Sequence, residues 1–378
     1  MNTMILRLAC AWATVAAFLL FGGGLLGQLG APLASAAIFL WLLGIIIWAA
    51  FGVVHEAEIL AGRLGEPFGT LILTLSIVII EVALISAVML GAKGAPTLGR
   101  DTMFAVLMIV LNGVVGIGLL VGGRRHFAQS YNLKGASSYL AVIIPLTVIP
   151  LVLPNFTTST SNGTLTTLQS VSFSLFTITL YGAFLVLQTG RHRSFFQEPT
   201  REQAPLPRTA MPGDDEPSEN DHGHDDPGGA TATHVVLLLA NILPIVILAK
   251  SLAAVLDFGI IKLGAPVALG GILIAMVVFT PECIAALRAI SANQLQRAIN
   301  LCLGAAASTL GLTVPAVLAI GLLTGQEVVL GLSGTNMVIL AMTLLLSTLT
   351  FTGTRTTMLE GAVHLAVFFV FLVLVFSP

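Results

Sequence analysis

What most constrains this chain is its succession of apolar stretches, each about 20 residues long and so able to cross the hydrocarbon core of a bilayer. They lie near 5–27, 33–54, 66–91, 102–122, 138–154, 165–188, 233–256, 265–288, 297–322, 327–349 and 358–377, about eleven in all. A backbone in lipid must satisfy its own polar groups, and runs of this length do so as helices. Composition agrees, with 56% hydrophobic residues, 9% charged residues and a mean hydropathy of +0.99. A soluble chain carries about a quarter charged residues. The expected fold class is therefore an all-α polytopic membrane protein in contact with the lipid bilayer, and no nucleic-acid partner is expected. The first span is preceded by Arg7 but lacks a small-residue cleavage site, so it reads as a retained helix.

Orientation follows from where Lys and Arg fall in the loops. With this set of spans, the side of the N-terminus collects Arg7, Arg63, Arg124, Arg125, Lys134, Arg191, Arg193, Arg201, Arg208, Arg288, Arg297 and Arg355, and the other side only Lys93, Arg100, Lys250 and Lys262. A cytoplasmic N-terminus and an external C-terminus are expected. The long polar stretch from Arg191 to Thr231 holds half of the 18 acidic residues and is rich in Pro and Gly, as linkers are. It splits the chain into an N-terminal helix (1–30), a first unit (31–190), a linker (191–232) and a second unit (233–378). Gly65-Glu66-Pro67 ahead of Glu81 is echoed by Gly264-Ala265-Pro266 ahead of Glu282. The units therefore read as repeats, and an odd number of spans in each makes them inverted. Such repeats place a substrate site near the midplane and often use interrupted helices, for which Pro281 is the candidate break.

Glu81 and Glu282 are the candidate site, and also the candidate metal ligands. A carboxylate at membrane depth costs on the order of 2.5–3.5 kcal/mol, so it marks an ion or proton path unless something pairs it. In the spans that follow each glutamate, Asn112, Ser308 and Thr309 supply further oxygens for a hard cation. Thr74, seven residues before Glu81, shares its helical face. Gly113, Gly116, Gly118, Gly304 and Gly311 read more simply as close-packing positions.

At these residues the sequence resembles the bacterial Cha-type calcium/proton and sodium/potassium/proton antiporters of the cation/calcium exchanger superfamily. The segments that carry the likeness are GEPFGTLILTLSIVIIEVALIS at 65–86, PTLGRDTMFAVLMI at 96–109, GAPVALGGILIAMVVFTPE at 264–282 and NQLQRAINLCLGAAASTLGLTVP at 293–315, with FTGTRTTMLEGAVHLAVF at 351–368. The resemblance implies the inverted-repeat exchanger fold, with Glu81 and Glu282 as the acidic residues of its two motifs. The sequence departs from Gly-Asn-Ala-Thr-Glu in the first motif, where Ser76-Ile77-Val78-Ile79-Ile80 precedes Glu81, and again at Phe279-Thr280-Pro281-Glu282. No cofactor is expected. The cargo would be Ca2+, Na+ or K+ exchanged for H+, because burial favours a neutral carboxyl and a cation the charged one, so the two ligands compete. The alternative is monovalent exchange with little Ca2+ transport.

The remaining polar signals carry less. Glu56, Glu58 and Glu66 read as a solvated helix end balanced by His55 and Arg63, the alternative being a cation entrance. DHGHDD at 221–226 reads as a solvated connector, and Glu360 and His364 as a pair on one face of the last span. Cys10, Cys283 and Cys302 have neither disulfide nor zinc spacing. Asn155-Phe-Thr and Asn162-Gly-Thr match the glycosylation pattern as chance would supply it in a Ser/Thr-rich loop. A membrane enzyme is the rival class, but His55-Glu56-Ala57-Glu58-Ile59 lacks the second His of a zinc protease and no nucleophile has a visible base. A channel on the same fold would conduct without proton countermovement. Oligomeric state is not encoded in these signals.

Overall fold

Lipid offers the backbone no hydrogen-bond partner, and the chain is accordingly helical almost throughout. The computed structural model describes residues 2–65, 68–90, 95–198, 227–353 and 355–377. The helices are α1 (Asn2–Gly27), α2 (Pro32–Leu64), α3 (Phe68–Met89), α4 (Leu98–Leu107), α5 (Val115–His126), α6 (Leu133–Leu151), α7 (Thr167–Thr189), α8 (Pro227–Leu263), α9 (Ala268–Ser291), α10 (Leu295–Ser308), α11 (Val314–Thr324), α12 (Gly334–Thr350) and α13 (Met358–Phe376). Two π-helical stretches, Met108–Val114 and Thr309–Thr313, join α4 to α5 and α10 to α11 into single rods. Counting each rod once, ten helices among the described residues are long and apolar enough to cross a membrane, and α12 is shorter. Two short strands, β1 (Gln129–Ser130) and β2 (Arg355–Thr356), pair antiparallel with Gln129 opposite Thr356.

The expected spans are recovered, with instructive differences at their ends. Hydropathy falls at His55-Glu56, yet α2 runs on to Leu64 and stops at Gly65, whose φ of 66° suits a residue without Cβ. The helix continues because Glu56 finds its partner inside the protein. At 1.5 Å per residue, α2 is about 50 Å long against about 30 Å of hydrocarbon, so it tilts or projects. The 37-residue α8 is its counterpart and packs along it. Residues 327–333, expected to begin a span, are irregular because their backbone is bonded to other loops. α12 begins instead where the Ser333 side chain accepts from Asn336 N at 3.3 Å.

Around α1, the two units repeat one order: a long helix, a glutamate-bearing helix, a rod with a π stretch, and two further helices. The last helix of each unit packs on the other unit's rod, α13 on α5 and its π stretch and α7 on α11 and its π stretch. Pro281 does not break α9, which runs unbroken through it while the Thr280 hydroxyl bonds the Met276 carbonyl. Threonine support of this kind lets membrane helices carry proline. The departures from α geometry fall in the next rod of each unit instead.

The packing is not symmetric. α9 lies close on α4 and α5, whereas α3 touches α10 little. A Cβ at Gly271 of α9 would sit 2.7 Å from Thr102 N of α4, so only glycine permits that approach. On the same face, residues 329–332 thread between two loops. Val329 N donates to Pro96 O at 2.9 Å, Gly331 N to Gly163 O at 2.9 Å and Leu332 N to Leu151 O at 2.8 Å. Arg100 binds Gly331 O at 2.8 Å while holding Asp101 at 2.9 Å, and Asn155 Nδ2 donates to Leu332 O at 2.9 Å. These bonds knit the loops of this face together.

Candidate functional site

Both glutamates sit midway along apolar helices, but in different surroundings. Glu81 on α3 is fully buried and accepts a hydrogen bond from Thr309 Oγ1 of the opposite unit's π stretch at 3.1 Å. Its Oε1 has no partner. The Thr313 hydroxyl lies beside the same carboxyl group but completes no hydrogen bond of its own. Glu282 on α9 is 7% exposed, and neither of its oxygens has a partner among the described residues. A buried carboxylate with both oxygens unsatisfied is costly unless a proton, an ion or water completes it.

Glu282 faces a cavity of about 370 Å3 bounded by α2, α3, α6, α7, α9 and α10. Thr74 and Ser308 line it with Glu282, as do Tyr139, Tyr181, Gln188 and Asn300. Arg193 and Arg297, also on its wall, place its opening on the face opposite the knitted loops. Tyr181 interacts with Thr74. The Ser308 hydroxyl donates back to Ala305 O at 3.0 Å, which leaves its lone pairs available. Asn300 is held by Phe196 O at 2.6 Å and by Gln296 at 2.9 Å. At the rim, outside the spans, the Glu198 carboxyl accepts from Arg297 N at 3.3 Å in the first turn of α10, and partial burial pushes its pKa up.

Thus Thr309 joins Glu81, while Thr74 and Ser308 share the cavity with Glu282. Asn112 is bonded to neither glutamate. Its Nδ2 donates to Thr343 Oγ1 at 2.8 Å, and its Oδ1 pairs with His364 Nδ1 at 3.0 Å. His364 Nε2 in turn meets Thr350 Oγ1 at 3.0 Å. The expected Glu360–His364 pair is therefore corrected. His364 is fully buried and turned toward the first unit's π stretch, whereas Glu360 closes a capping box by accepting from Thr357 N at 2.6 Å.

The reading of a solvated helix end is corrected for Glu56 and holds for Glu58, which is exposed. Glu56 is fully buried and bonded to His234 at 2.7 Å on α8, and Glu58 lines the cavity. Glu66 and the DHGHDD run lie outside the described residues. Tyr181 and the π stretches escaped the sequence reading; the only hint was the density of small and polar residues after each glutamate. Among the described residues no three His, Cys, Asp or Glu side chains converge on one point. The donor oxygens at the cavity belong to carboxylate, hydroxyl and amide groups, the set that suits hard cations.

The family model for the sodium/calcium exchanger protein matches residues 34–190 and 233–377. The chain is 42% identical over 348 residues to the putative ionic transporter y4hA of Sinorhizobium fredii, covering 92% of this chain and 90% of that one. It is 38% identical over 353 residues to the sodium-potassium/proton antiporter ChaA of Escherichia coli, with the same coverage. Among solved structures, native YfkE superposes with a TM-score of 0.71 at 16% identity, covering 98% of this chain and all of that one.

Proposed function

This chain belongs to the sodium/calcium exchanger protein family, and from that premise we propose that it exports Ca2+, or Na+ and K+, in exchange for H+, with Glu81 and Glu282 as the carboxylates that proton and cation share. It is an integral membrane protein and a cation/proton antiporter. The name of ChaA supports monovalent cargo, and the selenium-substituted form of YfkE, described as a Ca2+/H+ antiporter protein, supports the divalent ion as far as a shared fold can.

The observation that carries the site assignment is Glu282, buried at a cavity of about 370 Å3 with both oxygens unpaired among the described residues. A cation entering there meets that carboxylate, the Ser308 hydroxyl and Thr74. A proton is the other ligand that can satisfy the carboxyl, so the site is either protonated or cation-loaded. Glu81, closed off and held by Thr309, is the counterpart that becomes accessible when the molecule opens to its other face. In this reading residues 31–190 and 233–378 are the exchanging units, 1–30 is an added helix and 191–232 the linker. The basic face around Arg193 and Arg297 is cytoplasmic, as the distribution of Lys and Arg supports. The cavity then faces the cytoplasm, the C-terminus lies outside, and the membrane is the bacterial inner membrane.

The test is transport in proteoliposomes with an imposed pH gradient, offering Ca2+, Na+, K+ and Mg2+ in turn. The reading expects cation-dependent proton flux with at least one of the first three. Flux that proceeds as a current without proton countermovement would make the protein a channel instead.

A further inference from the structure

The cavity has a second carboxylate. Glu58 stands on α2, about 9 Å of helix before the end of that helix at Leu64. Its exposed side chain lines the same wall as Glu282, close enough for the two charges to act on each other. Two residues earlier, Glu56 points the other way into its bond with His234. Glu58 has no such partner among the described residues.

Its chemical setting gives it a task. Arg193 and Arg297 line the cavity too, so an incoming cation passes two guanidinium groups on its way to Glu282. With both glutamates ionised, the charges on the wall cancel. Without Glu58, two guanidinium groups on the wall face one carboxylate, and whenever Glu282 carries a proton the nearest remaining carboxyl is that of Glu198 at the rim, bonded to Arg297 N. An exposed carboxylate suits a hard cation that still holds most of its water, whereas the buried, unpaired Glu282 suits one that has shed it.

The geometry points to Glu58 as an outer cation-binding station, which draws a hydrated cation past Arg193 and Arg297 and holds it before transfer to Glu282. This rests on the assignment of Glu282 as the exchange site. The role is electrostatic, so it depends on charge, weakens in salt and acts from one face only.

The test measures initial rates of cation-driven proton flux in oriented proteoliposomes, with Ca2+, Na+ or K+ supplied to the Arg193 and Arg297 face at low and high ionic strength. Glu58→Gln is expected to raise KM by about tenfold at low salt, less at high salt, with maximal rate unchanged. Glu58→Asp should stay within about twofold of wild type. Cation supplied to the opposite face should show wild-type KM in both variants. A wild-type KM for Glu58→Gln at low salt overturns the station, and so does equal impairment of the Asp and Gln variants, which would mark a packing role. Should Glu58→Gln fail to insert, Glu58→Cys in a background lacking Cys10, Cys283 and Cys302 decides. An anionic thiol reagent must restore KM and a cationic one must worsen it; equal effects reject the proposal. Glu282→Gln run in parallel separates the two ideas. If that variant transports, the exchange site itself is misassigned; if it is silent while Glu58→Gln behaves as wild type, only the outer station falls.

Discussion

Glu81 and Glu282 hold corresponding places in two units with one helix order, yet one is enclosed and the other opens onto a cavity. Glu81 is hydrogen-bonded to Thr309 across the unit boundary, while Glu282 has no partner among the described residues. The same contrast runs through the packing, with α9 sealed against α4 and α3 standing off from α10. Inverted repeats make this intelligible. If the units were arranged identically, the molecule would present the same path to both sides of the membrane at once. A transporter open to one face must break its own pseudosymmetry, and the two glutamates record in which direction it is broken.

The comparison breaks most sharply if one glutamate is dispensable. Glu81→Gln and Glu282→Gln should each reduce cation-dependent proton flux by more than about 100-fold, since even the partners of ligands cost up to that much. Normal insertion is expected, because an amide keeps the volume but neither ionises nor releases a proton. Measurable exchange by either variant would reduce the pair to a single working site.

Accessibility sharpens it next. In a background lacking the native cysteines, Ser308→Cys should react with a membrane-impermeant thiol reagent from the Arg193 and Arg297 face alone, whereas Thr313→Cys should be protected from both. Labelling of both from one face would show that the two glutamates share a single chamber.

A smaller effect separates the hydroxyls. Thr309→Val removes the hydrogen bond to Glu81, and bonds to charged groups are worth about 1.5–3 kcal/mol. Cation affinity or proton competition should change by about tenfold or more in stopped-flow flux assays. Ser308→Ala loses only a bond to its own helix and should change KM by about threefold or less. Lowering pH equally on both sides should raise KM for the cation without lowering maximal rate, since proton and cation compete for one carboxylate. A fall in maximal rate at saturating cation would place the pH sensitivity elsewhere.

The smallest change in transport belongs to the π stretches. His364→Ala leaves Asn112 short of a buried partner, a loss of about 1–3 kcal/mol that should appear as a lower melting temperature in detergent. Exchange should largely persist. Undiminished stability would mean that the first unit's π stretch is not held by α13.

The two glutamates were legible because lipid makes an isolated carboxylate conspicuous, and the spans because hydropathy reports length directly. Helix ends were less so. Glu56 looked like the end of a span because sequence cannot show that His234, far along the chain, lies opposite. The i, i+4 spacing of Glu360 and His364 correctly put both on one helix, but capping took the glutamate and Asn112 took the imidazole. The π stretches left no local signature, since a shift from i→i+4 to i→i+5 bonding follows from what packs alongside. Pro281, the visible irregularity, drew attention to the wrong helix.

The loop threaded at 329–332 has a consequence for how this protein tolerates change. Its bonds to Pro96, Gly163 and Leu151 run from main chain to main chain, so side chains there can drift without unlatching it. Only a few substitutions reach it. A proline at Val329 or Leu332 deletes a donor, and a Cβ at Gly163 would press to 2.8 Å from Gly331 Cα. Four such bonds join it to those loops, from Val329, Leu330, Gly331 and Leu332; at about 0.5–1.5 kcal/mol net for each, together they favour the latched arrangement over the open one by a factor of roughly thirty to ten thousand.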